Sequence, residues 1–323
     1  MPERKALVVG INYVDTSAEL HGAVNDALRW VEALGRFGLL EEAVGESDEK
    51  YSIPTRDNIV QGLDWLTSDA SKGDCLTMIF CGRAMQVQGF AGASPFEEAL
   101  CPLDWEGFWT HHVITDQELH EHFASLPGGV MLTLILDASF LCPPVRVPIK
   151  RSMEYPAHEQ RNEVGSLRDD GGDENVWSRL EHVNALPRRL SHVGKRTFWT
   201  QLGRLLPEVQ KPLDEGLAVF CITACGAGQC AIEAYLNGSQ QGVLTFCLLE
   251  ALKQFRQCTF LEWMTAANKE ATRLRGEVLP ALDQFFEIAY GRHVGLHESR
   301  PFDPACALLA KERAKRRRGE HWR

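Results

Sequence analysis

The stretch MLTLILDASFL, residues 131–141, decides the fold class that we predict for this chain. It begins with an apolar run without polar alternation, which is typical of a strand buried on both faces of a sheet. The run ends abruptly at Asp137 and Ser139. Ligand sites in open α/β sheets gather where such strands end, but an Asp or Ser in this place is also a common turn former or helix cap. This stretch alone leaves both interpretations open.

A second apolar strand, CLTMIFCGR at residues 75–83, also runs into a small, polar stretch. Strands that alternate with amphipathic helices predict a mostly parallel central sheet, so the fold class is α/β. The other predicted strands are 5–12, 217–224 and 303–310, and the predicted helices are 22–37, 242–255, 261–275, one capped by Thr55 and one capped by Thr115 or Asp116.

The periodic pattern divides the chain into four parts. Residues 1–150 and 217–310 carry the alternating strands and helices and are expected to form one domain. Residues 151–216 contain the polar run RDDGGDE and few apolar positions, which predicts an insertion that is partly flexible. Residues 311–323 form a basic tail. Two interpretations of the tail stay open: a solvated chain end, or a targeting or acidic-surface address.

Composition limits the class of protein. The chain has 323 residues, a net charge of −10, and a tail with seven Lys or Arg against two Glu, so the rest carries −15. Such an acidic body argues against broad nucleic-acid binding. No apolar run approaches the roughly 18 residues of a membrane span, and the first residues lack a signal-peptide pattern. We therefore expect a cytoplasmic monomer whose ten cysteines are mostly buried free thiols.

Several segments, in this order and spacing, resemble the type I metacaspases. They are KALVVGINY, TSAELHGAVNDA, PTRDNI, the strand ending FCGR, the CPLD and ITDQEL segments, the strand ending LDAS, and ITACGAGQ before GVLTFCLLEAL. The resemblance covers roughly residues 5–150 and 217–310, and it is greatest to the short metacaspases of kinetoplastid protists. It implies a caspase-like three-layer sandwich, with 1–150 like a large subunit and 217–310 like a small one.

Metacaspases are cysteine peptidases that cleave after Arg or Lys with a His and Cys dyad. The resemblance assigns the dyad positions to Arg83 and Ser139, so neither family residue is present. A thiolate nucleophile needs a neighbouring imidazole as its base. A guanidinium cannot accept a proton because its pKa exceeds about 12. The resemblance therefore implies a pseudopeptidase that acts by binding.

The family's acidic pocket for a basic side chain corresponds to Asp26 and Asp137, with Cys81 and Ala23 in its walls. Two interpretations stay open. Either the pocket is open and still takes Arg or Lys, or Asp26 caps or packs locally while Asp137 pairs with Arg83.

The family's calcium ligands correspond to Glu97, Asp116, Gln117 and Arg146. Only two of these are carboxylates, and a fixed positive charge among them opposes cation binding. We therefore expect no cofactor and no calcium dependence.

The expected partner is a protein or peptide with basic residues, such as an active metacaspase relative. An alternative function stays open at this point: an active Arg/Lys-directed endopeptidase with rearranged residues. Its nucleophile would be Ser139, Cys81 or Cys142, and its base would be His111 or His112.

Overall fold

The computed structural model describes residues 2–45, 52–88, 96–105, 112–138, 149–152, 186–187, 216–225, 229–255, 257–291, 294–303 and 305–306. The strands are β1 (Arg4–Gly10), β2 (Leu40–Gly45), β3 (Cys75–Cys81), β4 (Ala84–Gln88), β5 (Phe96–Leu100), β6 (Ile114–Thr115), β7 (Met131–Asp137), β8 (Ile149–Ser152), β9 (Leu186–Pro187), β10 (Ala218–Thr223), β11 (Ile232–Leu236), β12 (Ser239–Gly242) and β13 (Glu287–Gly291). The helices are α1 (Ala23–Gly35), α2 (Arg56–Thr67), α3 (Asp116–Phe123), α4 (Val243–Gln254) and α5 (Phe260–Glu277).

A central sheet has the strand order β2-β1-β3-β7-β10-β13-β8. Its first five strands run parallel, β13 pairs antiparallel with β10, and β8 pairs antiparallel with β13 at the edge of the sheet. Two small antiparallel sheets have the orders β4-β5-β6 and β12-β11-β9. Strands β3, β7 and β10 are buried along their whole length. Their continuous burial agrees with the apolar runs in the sequence.

Helices cover both faces of this sheet. A side chain at Gly10 would collide with the backbone of Ala23 and the Cβ of Ala27, so α1 packs closely on that side of β1. A side chain at Gly62 of α2 would instead collide with Leu7, which points from the other face of β1 because side chains alternate along a strand. The predicted α/β architecture, with a mostly parallel sheet between two helical layers, is confirmed.

Aromatic packing fixes α4 and α5 against the sheet. Phe260 of α5 stacks on Phe220 of β10 with ring centroids 4.0 Å apart. Trp263 meets Trp30 of α1 edge to face at 6.3 Å, and its indole nitrogen donates to the carbonyl oxygen of Leu248 in α4 at 2.9 Å. Buried aromatic rings contribute strongly to core stability. These contacts hold α5 against β10 and α1, and they hold α4 against α5.

Several predicted elements differ from the structure. The last strand is β13. A strand was predicted at 303–310, but of this range the structure describes 303 and 305–306, and residues 305–306 are helical, so the prediction is wrong there. Strands β5 and β12, with sequences FEEAL and SQQG, were missed because they are too polar to show an apolar run. The boundary predicted at residue 150 falls inside β8, whose backbone pairs with β13. Most of 151–216 and all of 311–323 lie outside the described residues.

Within the described residues, no helix combines the length and the apolar character that crossing a membrane requires.

Candidate functional site

The ends of β3 and β7 meet at one edge of the sheet. Cys81 and Asp137 are partners in the parallel register, and the amide of Gly82 donates to the carbonyl oxygen of Asp137 at 3.3 Å. Arg83 follows Cys81 by two residues, as Ser139 follows Asp137. The pairing thus brings the two chain segments with the predicted dyad positions to the same edge. Ser139 itself lies outside the described residues.

Arg83 is buried, with 5% of its surface exposed. Its Nε donates to the carbonyl oxygen of Ala18 at 2.7 Å, and its Nη2 donates to that of Glu19 at 2.9 Å. Both acceptors lie in the segment between β1 and α1. A guanidinium has hydrogen-bond donors and no acceptor, so it is suited to binding these two carbonyl oxygens. Its side chain serves here as a hydrogen-bond donor to the backbone.

Tyr13 connects the same segment to the end of β3. Its hydroxyl accepts from the amide of Arg83 at 2.9 Å and donates to the carbonyl oxygen of Cys101 at 2.6 Å. The amide of Cys101 in turn donates to the carbonyl oxygen of Arg83 at 3.1 Å. Position 82 requires glycine, because a Cβ there would lie 2.9 Å from the Tyr13 hydroxyl oxygen. Sequence analysis missed Tyr13, whose partners are distant in the chain.

Asp26 and Asp137, the two predicted pocket carboxylates, both reach the N-terminus of α4. Asp26 Oδ2 accepts from the amide of Gly242 at 2.8 Å, and Asp137 Oδ2 accepts from the amide of Thr245 at 2.9 Å. Neither side chain has exposed surface. The first amides of a helix lack partners within the helix, and its positive end favours carboxylates. The structure therefore places both residues at the N-terminus of α4, where each is buried and binds a backbone amide.

In one of the two interpretations left open by the sequence, Asp26 caps or packs locally. Its Oδ2 instead accepts from the amide of Gly242, which lies 216 residues later in the chain.

Thr245 links the remaining pocket positions to this helix end. Its hydroxyl oxygen lies 3.8 Å from Cys81 Sγ and accepts from the indole nitrogen of Trp30 at 3.2 Å. Cys81 and Ala23 are fully buried, so both predicted wall residues lie inside the core. No sequence signal distinguishes Thr245 from any other threonine in an amphipathic helix.

Glu233 of β11 holds the start of α1 in a similar way. Its two carboxylate oxygens accept from the amides of His21 and Gly22 at 2.7 and 3.0 Å. Glu233 is fully buried, and Gly22 is the N-cap residue of α1. Asp26 and Asp137 of the first half of the chain thus bind the N-terminus of a helix in the second half, and Glu233 of the second half binds the N-terminus of a helix in the first. Sequence analysis missed Glu233.

The predicted calcium positions lie around β5 and the start of α3. Glu97 is in β5 and is nearly buried, while Asp116 is the first residue of α3. Gln117 donates from Nε2 to Glu121 one helical turn later at 3.0 Å. Arg146 lies outside the described residues. In the part of the chain that the structure describes, no three His, Cys, Asp or Glu side chains form a metal-binding group.

The helix cap at α3 is Thr115. Its hydroxyl accepts from the amide of Glu118 at 3.2 Å, so the suggestion that Asp116 caps the helix is wrong.

Of the residues suggested for a rearranged catalytic site, the structure describes Cys81 and His112. Cys81 has no exposed surface, so its thiol is not accessible to a substrate in this conformation. His112 is half-exposed, and its Nδ1 lies 3.2 Å from Asp104 Oδ2. His111 and Cys142 lie outside the described residues.

Comparisons with known proteins agree on one family. Residues 4–145 match the family model described as "Metacaspase, peptidase C14 domain". Metacaspase-1 of Schizosaccharomyces pombe is 26% identical over 278 residues, which cover 80% of this chain and 62% of the relative. Metacaspase-5 of Trypanosoma brucei brucei is 32% identical over 192 residues, covering 55% of this chain and 37% of the relative. Metacaspase-2 of the same organism is 36% identical over 141 residues, covering 41% and 40%. The chain therefore spans less than two thirds of the length of each of these relatives.

A solved structure supports the fold. The crystal structure of a protein from Geobacter sulfurreducens superposes with a TM-score of 0.60 at 16% identity, covering 93% of this chain and 98% of that one. At this identity the likeness concerns the fold alone.

We predict that Asp26→Ala and Asp137→Ala each lower the free energy of unfolding by roughly 2 kcal/mol, because each removes a buried carboxylate that caps α4. Urea unfolding monitored by circular dichroism measures this. Asp137→Asn keeps an oxygen acceptor and should lose less. Asp283→Ala, at a side chain that is 72% exposed, is the matched control and should stay within about 0.5 kcal/mol of the natural chain. Equal stability of Asp137→Ala and this control would contradict the capping role.

Proposed function

Because this chain belongs to the metacaspase family, we propose that it is a family member without peptidase activity that acts by binding. The resemblance assigns Arg83 and Ser139 to the positions of the family's His and Cys. A hydroxyl is a far weaker nucleophile than a thiolate, and a guanidinium cannot serve as the base that would activate it. Loss of either group typically lowers the rate by several orders of magnitude.

One observation carries this proposal: the Arg83 guanidinium is buried and donates to the carbonyl oxygens of Ala18 and Glu19. If position 83 had lost its role, a long charged side chain there would be expected to extend into solvent. This one has specific acceptors at 2.7 and 2.9 Å. The position that would hold the base is therefore built into the backbone packing of the sheet edge, which supports a maintained structural use.

We predict that the natural chain cleaves peptides with Arg or Lys before the scissile bond no faster than its Ser139→Ala variant, with or without calcium. A fluorogenic peptide assay and mass spectrometry of the chain itself measure both kinds of cleavage. Turnover that Ser139→Ala abolishes would instead support the rearranged hydrolase. The Arg83→His/Ser139→Cys double variant extends the assay, since activity in it alone would show that these two positions account for the inactivity.

The proposed partner is a protein or peptide with basic residues, such as an active metacaspase relative. The support is charge: the body of the chain carries −15, which favours association with a basic surface. Asp26 and Asp137 are fully buried, so they are poor candidates for the contacting carboxylates. The contact is therefore proposed for exposed acidic side chains.

We predict that a peptide containing Arg binds the natural chain, Asp26→Asn and Asp137→Asn with the same Kd, and that raising the salt from about 0.05 M to about 0.5 M weakens all three, because exposed charges are screened. Isothermal titration with a matched norleucine peptide as the control measures this. A tenfold loss of affinity confined to one Asn variant would show that the pocket opens to basic side chains after all.

We also propose that the protein does not depend on calcium, since the resemblance places Gln117 and Arg146 among the four ligand positions. The expected result is an unchanged melting temperature in about 5 mM calcium, whereas a ligand that binds the folded state raises it. Asp116→Asn provides the matched variant and should behave identically. A saturable calorimetric isotherm that Asp116→Asn removes would overturn this.

A further inference from the structure

The segment between β1 and α1, which we call the strap (residues 13–20), has an unusual backbone for its sequence. Tyr13 and Asp15 adopt left-handed φ angles of 53° and 62°. Such angles are uncommon for residues other than glycine and persist where surrounding contacts impose them. Tyr13, Ala18 and Leu20 are nevertheless almost fully buried. The Thr16 hydroxyl supports the turn from within, since it donates to the carbonyl oxygen of Tyr13 at 2.7 Å and accepts from the amide of Ala18 at 3.1 Å. Groups outside the strap add further contacts.

The ends of the strap are fastened by groups next to it in the fold. The amide of Leu20 donates to the carbonyl oxygen of Asn12 at 2.6 Å, and Glu233 binds the two amides that follow the strap. These contacts close the segment into a loop. Neither set of contacts joins the strap to the end of β3.

Arg83 supplies that attachment. Its Nε and Nη2 lie on the same edge of a planar group, and they donate to carbonyl oxygens of two consecutive residues, Ala18 and Glu19. Its amide is joined to the Tyr13 hydroxyl at the other end of the strap. One residue at the end of β3 thus contacts both ends of the strap. Its donors are charged, and hydrogen bonds to a charged group are stronger than neutral ones.

We propose that Arg83 is a latch that fixes the strap across the end of β3 and so keeps this sheet edge closed. A histidine in this position could not replace it, because its ring is shorter and its two nitrogens point in different directions. A lysine offers one point charge in place of a fork. The inference goes beyond the proposed function and does not depend on it, since it concerns the closure of the edge and not catalysis.

Hydrogen–deuterium exchange of the full chain tests the latch. In Arg83→Ala, the amides of residues 18–22 should exchange at least about tenfold faster than in the natural chain, because their exchange requires the local opening that the latch opposes. The amides of α5 should be unaffected. Arg36→Ala is the matched control, since Arg36 is exposed and pairs with Glu32 on the surface of α1. It should leave exchange in the strap unchanged.

Addition of methylguanidinium at about 10 mM should restore slow exchange in Arg83→Ala by occupying the vacated space, but should not alter Arg36→Ala. Arg83→Lys gives a second variant in case Arg83→Ala does not fold, and its strap should exchange faster than that of the natural chain. Natural exchange rates in the strap of either Arg83 variant would overturn the proposal. So would an equal acceleration in the strap and in α5, because that would indicate global destabilisation.

Discussion

Two buried carboxyl groups, from Asp26 and Asp137, face the first turn of α4, and the arrangement of the sheet edge depends on them. Burying a carboxylate costs several kcal/mol unless hydrogen bonds and nearby positive charge offset the cost. The amides of Gly242 and Thr245 provide the bonds, and the N-terminus of the helix provides the positive end. Since α4 belongs to the second half of the domain, these contacts also join the two halves.

The same contacts determine what the acidic pair can do. A basic side chain that bound Oδ2 of either residue would compete with the amide of Gly242 or Thr245, and the packing of α5 holds the helix that carries these amides. Retention of two aspartates in the sequence therefore does not imply retention of their access to solvent.

Sequence patterns predicted the features that depend on neighbouring residues. The apolar runs at 75–81 and 131–136 identified two adjacent strands, and Thr55 was correctly identified as the cap of α2, where it accepts from the amide of Asn58. The polar strands β5 and β12 were missed because their identity depends on pairing with partners rather than on an apolar pattern.

The contacts that shape the site could not be predicted from local patterns, because they join residues that are far apart in the chain. Tyr13 meets Arg83 across 70 residues of chain, and His21 meets Glu233 across 212. Residue type indicated that Asp26 and Asp137 carry charge at the sheet edge, but only the three-dimensional packing determines that these charges point inward.

In the proposed function, the two dyad positions have changed in different ways. Serine at 139 is a small chemical change, whereas Arg83 has become part of the packing, because it donates to Ala18 and Glu19 while its amide binds Tyr13. A return to histidine at 83 would leave two backbone carbonyls without the charged donor that now binds them. It would also remove two of the contacts that hold the strap, while Asp26 and Asp137 would stay buried beside α4. In the proposed function, recovery of a working site would therefore depend on the strap as well as on the two side chains.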